Sequence, residues 1–239
     1  DWAALEQVLV RFSQLVAEQN GIKEIDLNPL FILADHVVAL DARIQLHAPE
    51  LPAAQRPKLA IRPYPQHYAT VRTLTDGTPV VLRSIRPEDE PMMVRLHETL
   101  SEQSVYYRYF TAVSLEQRTR HARLARLCFI DYDREVAVVA VHDNPRTGQA
   151  EILGVGRLCK AHGRNEAEFA LVVSDSWQRR GLGTLLMERL VAIGRAEGLT
   201  RLTSTILGEN HAMRRVCERA GFRLIRRAGQ ADFEATCVL

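Results

Sequence analysis

The segment from Leu171 to Thr184 holds the residues best suited to chemistry. An apolar strand end, Leu171-Val172-Val173, runs into a short polar loop, and Gln178-Arg179-Arg180-Gly181-Leu182-Gly183-Thr184 then opens a helix. At a helix start the first main-chain N–H groups lack an intrahelical partner and the macrodipole is positive, so a diphosphate can sit directly on the backbone. Glycines suit such a cradle because a Cβ would hold the anion away. Upstream on the same strand, Glu166 and Glu168 lie two apart and share one face, opposite Phe169, Leu171 and Val173. A carboxylate there could serve as general base toward an amine, whose ordinary pKa near 10.4 keeps it protonated at neutral pH.

Plainer readings compete with these. The glycines can simply form a strand-to-helix turn with a solvated arginine edge, and glutamates on a half-exposed strand are usually just solvated. The spacing is neither GxGxxG nor that of a phosphate loop ending in Gly-Lys-Ser/Thr, so neither a dinucleotide site nor a P-loop is supported.

The Gln-x-x-Gly-x-Gly spacing resembles the acetyl-CoA signature of the GNAT family of N-acetyltransferases, and the element order from Leu74 to Leu239 is similar to that fold. The resemblance implies acetyl-CoA as co-substrate, held by Leu171, Val172, Val173, Gln178, Arg179, Arg180, Gly181, Leu182, Gly183 and Thr184. A second match, Asn210-His211-Ala212-Met213 through Ala220-Gly221-Phe222, resembles the family's later helix, whose asparagine contacts the CoA arm; that role falls on Asn210. Ala167-Glu168-Phe169-Ala170 is similar to the strand of Pat-type bacterial protein-lysine acetyltransferases that carries their catalytic glutamate. Glu168 is thereby expected as the base, with Glu166 second. The family reaction is direct attack of an amine on the thioester, with a backbone N–H around Leu171 to Val173 stabilising the oxyanion. One departure is Cys217, where many members carry a tyrosine that protonates the leaving thiolate. A thiol with a solution pKa of roughly 8.5 can leave without obligatory protonation, and a buried small hydrophobe is the reading preferred for Cys217.

The elements that must position these groups follow from periodicity. Helical patterns are expected at Trp2 to Glu18, Glu88 to Ser101, Ser114 to Ala125, from Leu182 onward with apolar Leu185, Leu186, Leu190 and Ile193, and at Asn210 to Arg219. Strands are expected at Ile22 to Leu27, Leu30 to Leu33, Val37 to Leu40, Val80 to Ile85, Glu135 to His142, Glu151 to Cys159, Glu166 to Val173 and Arg201 to Ile206, then a final hairpin. Turns are expected at Ala34-Asp35-His36 and around Asp76-Gly77. The order is α+β. The implied fold is a mixed, mostly antiparallel central sheet flanked by helices, with a small N-terminal α/β fragment.

The 239 residues allow one domain plus a substantial extra piece. With 31 basic and 29 acidic residues, the net charge of +2 supplies no field pointing to nucleic acid or a membrane surface. No apolar run approaches bilayer length and no signal pattern opens the chain, so the cytoplasm is expected. The four cysteines are scattered without a CxxC pair or metal-ligand spacing; they read as free thiols, and no metal site is expected.

Five prolines between His47 and Pro65, around Leu59-Ala60-Ile61-Arg62-Pro63-Tyr64-Pro65, mark a linker. The expected division is 1–46, 47–68 and 69–239. In the first part, Glu24-Ile25-Asp26-Leu27-Asn28-Pro29-Leu30 and Val38-Ala39-Leu40-Asp41-Ala42-Arg43 resemble the last strands of the ATP-grasp domain of NDP-forming acyl-CoA synthetases, where residues at the positions of Asn28 and Asp41 hold Mg²⁺. Without a glycine-rich phosphate loop, turn chemistry is favoured for Asn28 and Asp41 and no ATP binding is expected. This tail, the proline linker and the Tyr106-Tyr107-Arg108-Tyr109 cluster together resemble the Pat architecture. The resemblance implies a protein substrate with an accessible lysine, AMP-forming acyl-CoA synthetases among them. A small-molecule amine acetyltransferase and a non-catalytic acyl-CoA sensor are the alternatives.

Overall fold

Apolar residues at helical spacing produce α1 (Trp2–Glu18), and the Asn20-Gly21 stop is followed by β1 (Ile22–Leu27). The computed structural model describes residues 2–33, 36–52, 55–57, 62–226, 229 and 231–239. Ala34 and Asp35 of the expected turn, and Leu59-Ala60-Ile61 of the proline-rich stretch, lie outside the described residues. The chain forms two compact units, one ending at Pro63 and one beginning at Tyr64.

In the first unit β1 pairs antiparallel with β4 (Ala42–Leu46), and β2 (Leu30–Ile32) pairs with β3 (Val37–Ala39). No described residue of this unit is fully buried. Asn28 and Asp41 are both exposed at strand ends.

The second unit is built on one eight-stranded sheet. Its strands are β5 (Thr70–Thr73), β6 (Pro79–Ser84), β7 (Glu135–Asp143), β8 (Ala150–Lys160), β9 (Glu166–Val173), β10 (Arg201–Ile206), β11 (Arg223–Arg226) and β12 (Phe233–Val238). The spatial order is β11-β12-β10-β9-β8-β7-β6-β5. Every neighbouring pair is antiparallel except β9 with β10, which is parallel. Tyr64 to Tyr68, which the proline spacing assigns to the linker, belong to this unit: Tyr64 Oη donates to Ser84 O at 2.9 Å and Tyr68 is buried in the core.

The apolar run of β7 explains the layering. Val136, Val138 and Ala140 face one core, shared with α6 (Leu182–Ala196) and α7 (His211–Arg219). Ala137, Val139 and Val141 face a second core, shared with α2 (Glu90–Glu98), α3 (Glu102–Tyr109) and α5 (His121–Cys128). A strand covered by helices on both faces is apolar at successive positions instead of alternating.

Two helical expectations differ from the structure. Ser101 to Phe110 forms α3, with Ser101 as N-cap accepting from Ser104 N–H. The single helix expected over Ser114 to Ala125 is instead α4 (Leu115–Thr119) and α5, broken at Arg120, whose ψ of 129° leaves the helical region.

Candidate active site

The site grows from a failure of pairing. β9 and β10 are bonded only through Arg201↔Glu166, Leu202↔Ala167 and Thr203↔Glu168; beyond Glu168 and Thr203 the strands part. A cavity of about 850 Å³ fills the fork, with Phe169 to Val173 on one side and Ser204 to Ile206 on the other. Parting leaves main-chain groups without a ladder. Asn165 O accepts from Thr200 N–H on the β10 side, whereas Glu166 O accepts from Ala161 N–H and Ser174 N–H donates to Leu153 O, both on the β8 side. Strand alternation therefore aims the N–H groups of Phe169, Leu171 and Val173 into the fork. Val172 directs its own toward β8, where it opposes Val155.

Glu168 occupies the last paired position before the fork. Its side chain is exposed and lines the cavity. A smaller hollow of about 280 Å³ shares Glu168, Ser204 and Thr205 with the large one and adds Asp232 and Phe233. Glu166 lies outside both linings and accepts from Arg201 Nη2 at 2.6 Å, an ion pair between the two strands. The two carboxylates share a face, but only Glu168 meets the cavities.

The loop after β9 is fixed by a compact polar network. Gln178 Nε2 donates to Asp175 Oδ1 at 2.9 Å, to Val173 O at 3.2 Å and to Ser104 Oγ at 3.2 Å. Asp175 in turn accepts from Ser101 N–H at 2.8 Å and Ser104 Oγ at 2.5 Å. Burial works against the charged form of Asp175, but the bonds from Ser101 and Ser104 hold its carboxyl below the ordinary value. The amide of Gln178 thus binds the loop to α3 and covers the open carbonyl of Val173. Sequence reasoning missed Ser104 and Asp175; the one available signal was the capping pattern of Ser101, which announces α3.

At the helix start, Gly181 has φ 85°, a left-handed conformation that admits glycine at no steric cost. A Cβ there would come within 3.2 Å of Thr75 Cγ2. Arg179 is also left-handed, with φ 60°, and lines the cavity. Leu185 N–H is the first to join the ladder, donating to Gly181 O at 3.1 Å, which leaves the amides of Leu182, Gly183 and Thr184 without a helical partner. Gly183 and Thr184 line the cavity, whereas the Leu182 side chain is buried in the core. The Arg180 side chain turns away, donating to Asp76 at 3.0 Å and lying 4.6 Å over the Trp177 ring. Asn210 lines the cavity and caps α7, its Oδ1 accepting from Met213 N–H at 3.0 Å. Cys217 is fully buried in the core and contributes nothing to the lining. The arrangement fits an acyl-CoA: unpaired amides and a positive helix end for a diphosphate, and a forked sheet for the arm. Among the described residues no group of three His, Cys, Asp or Glu could hold a metal ion, and no helix is long and apolar enough to cross a membrane.

Comparison with known proteins agrees with this geometry. The acetyltransferase (GNAT) domain family matches residues 80–223, and the ATP-grasp domain family matches residues 1–46. An acetyltransferase of Pseudomonas aeruginosa is 29% identical over 163 residues, covering 68% of this chain and 82% of that protein. The acetyltransferase Pat of Mycolicibacterium smegmatis is 30% identical over 176 residues, 73% of this chain and 48% of its own. The crystal structure of the GNAT domain of S. lividans PAT superposes with a TM-score of 0.66 at 25% identity, covering 74% of this chain and all of that one. The chain therefore belongs to the GNAT family of acetyltransferases. It is an acyltransferase with Pat-like relatives, and it spans about half the length of the mycobacterial Pat it matches.

Proposed function

We propose that the second unit transfers an acetyl group from acetyl-CoA to the ε-amine of a lysine in a target protein, with Glu168 as general base. The observation that carries this is the position of Glu168: it is the last paired residue before the strand fork and lines both the large cavity and the small hollow. The diphosphate rests on the amides of Leu182, Gly183 and Thr184, with Gly181, Arg179 and Gln178 shaping the approach and Asn210 flanking it. Glu168 takes a proton from the incoming ammonium, directly or through water. The freed amine attacks the thioester carbonyl, a C–N bond forms, the oxyanion is met by N–H groups of Leu171 or Val173, and the C–S bond breaks with release of the thiolate. The second amine proton passes to the thiolate or to water. Four free cysteines fit a reducing cytoplasm.

A protein acceptor is supported by the likeness to Pat proteins, and AMP-forming acyl-CoA synthetases are the targets that resemblance suggests. We further propose residues 1–46 as the end of an ATP-grasp-like domain, in which Asn28 and Asp41 serve as turn residues, and the stretch from 47 to Pro63 as its linker. The test incubates the chain with labelled acetyl-CoA and either a lysine-bearing synthetase or a panel of small amines, for wild type and Glu168→Gln. Label on protein lysine is expected, with kcat reduced about 10²- to 10⁴-fold in the variant and the KM for acetyl-CoA within about threefold. Label confined to small amines removes the protein acceptor, and an undiminished variant removes Glu168 as the base.

A further inference from the structure

Three exposed arginines line the large cavity, and no ion pair among the described residues engages them. They are Arg179, on the loop before α6, and Arg215 and Arg219, on α7. Arg215 and Arg219 are four apart and so share one helix face, the face that also brings Ala212 and Val216 to the cavity. That face is pinned beside the start of α6: Val216 Cγ2 lies 3.4 Å from the place a Cβ on Gly183 would occupy. Two of the cavity's three carboxylates are employed or set apart. Asp175 is bound by Ser101, Ser104 and Gln178, and Glu168 lies at the strand fork; Glu209, just before α7, also lines the cavity, so the three arginines there outnumber the one carboxylate left without a bonded partner near them.

Main-chain amides at one helix start can satisfy a diphosphate, so three further cations are more than that group requires. Coenzyme A carries a second anionic group, the monoester phosphate on its ribose 3′ oxygen, which is a dianion near neutral pH. Guanidinium forks suit such a phosphate, binding two oxygens at once with charge-assisted bonds. We infer that Arg179, Arg215 and Arg219 form a subsite for the ribose 3′-phosphate and make this enzyme select coenzyme A over its 3′-dephospho form. The subsite rests on the reading of the cavity as the acyl-CoA site. Neither Arg215 nor Arg219 belongs to the glycine signature, so the selectivity is a property of this chain's α7. Being exposed, the three cations are open to salt, whose screening length is about 8 Å at physiological ionic strength.

The experiment is a calorimetric titration of the full chain with coenzyme A and with 3′-dephospho-coenzyme A at low and at high salt. Wild type is compared with Arg215→Ala/Arg219→Ala and with Arg146→Ala, an exposed arginine on the β7–β8 turn. Wild type is expected to bind coenzyme A at least about tenfold more tightly at low salt, the worth of one good charge-assisted contact, with a smaller ratio at high salt. In the double variant the ratio falls to within about threefold because coenzyme A weakens while the dephospho form does not. Retained binding of the dephospho form also shows the variant to be folded. Arg146→Ala keeps the full ratio. Equal affinities in wild type, or an undiminished ratio in the double variant, overturn the subsite while leaving the acyl-CoA reading standing. Absence of binding by either compound to wild type removes both.

Discussion

Cys217 stands where many relatives are expected to carry a tyrosine acid, and its surroundings rule it out of that work. It is fully sequestered in the core beneath α7, and burial pushes its thiol up to about 12. Cys217→Ala should therefore leave kcat within about twofold of wild type and lower stability by about 1 kcal/mol, the loss for removing one buried heavy atom from a packed site. Turnover beside a urea melt checks both halves, and a tenfold loss of kcat without loss of stability would restore the thiol to the mechanism. Residue types and strand parity bring Glu166 and Glu168 to one face, which is as far as sequence reaches. The difference between them comes from Arg201, 35 positions away, which engages Glu166 across the parallel pair. Gln178 shows the same limit: its motif position is plain, but Ser104, 74 positions earlier, decides that its amide holds the loop.

Elements were legible where one period ran unbroken. β9 and β10 are bounded as the apolar pattern predicts, and α6 follows the recurrence of Leu182, Leu186, Leu190 and Ile193. α3 was not, because it is eight residues long, buries only Val105 fully, and ends at Phe110 in a left-handed conformation that side chains other than glycine seldom announce. The break at Arg120 carries no glycine or proline, yet it brings Arg118 inward to donate to His97 O at 3.2 Å. His97 is itself buried, with neither ring nitrogen bonded, and burial, reinforced by Arg118, Arg123 and Arg108, lowers its pKa to about 4. The sign follows directly. The unfolded chain takes up this proton near the ordinary value of about 6.5 and the folded one only near 4, so the unfolded state binds more protons between those values and the fold weakens as pH falls through that window. The loss, complete below pH 4, is on the order of 3 kcal/mol for a shift of this size at a fully buried ring. His97→Leu, which removes the proton site, should flatten the fall in urea midpoint between pH 6.5 and 4.5. An unchanged slope would assign the acid sensitivity to other groups.

At the scale of the whole molecule, stability is concentrated in one of the two units. Among the described residues every buried one lies after Tyr64, and nearly all the buried hydrophobic ones fall into two clusters on opposite faces of one sheet. The insertion of β12 between β10 and β11 closes that sheet, and no local pattern announces it, since period and turn residues fix a hairpin but not the strand beside which it docks. The first unit, by contrast, has an amphipathic α1 without a single buried residue and two two-stranded ribbons, below what an independent fold normally requires. A chain limited to residues 64–239 should accordingly keep a cooperative urea transition with a midpoint close to that of the full protein, and should retain acyl-CoA binding, because every cavity-lining residue lies within it. Residues 1–63 alone should show no cooperative transition and weak helical circular dichroism, since an isolated helix of 17 residues is marginal in water. A sharp melt of the short piece, or collapse of the long one, would mean that the sheet does not carry the fold by itself.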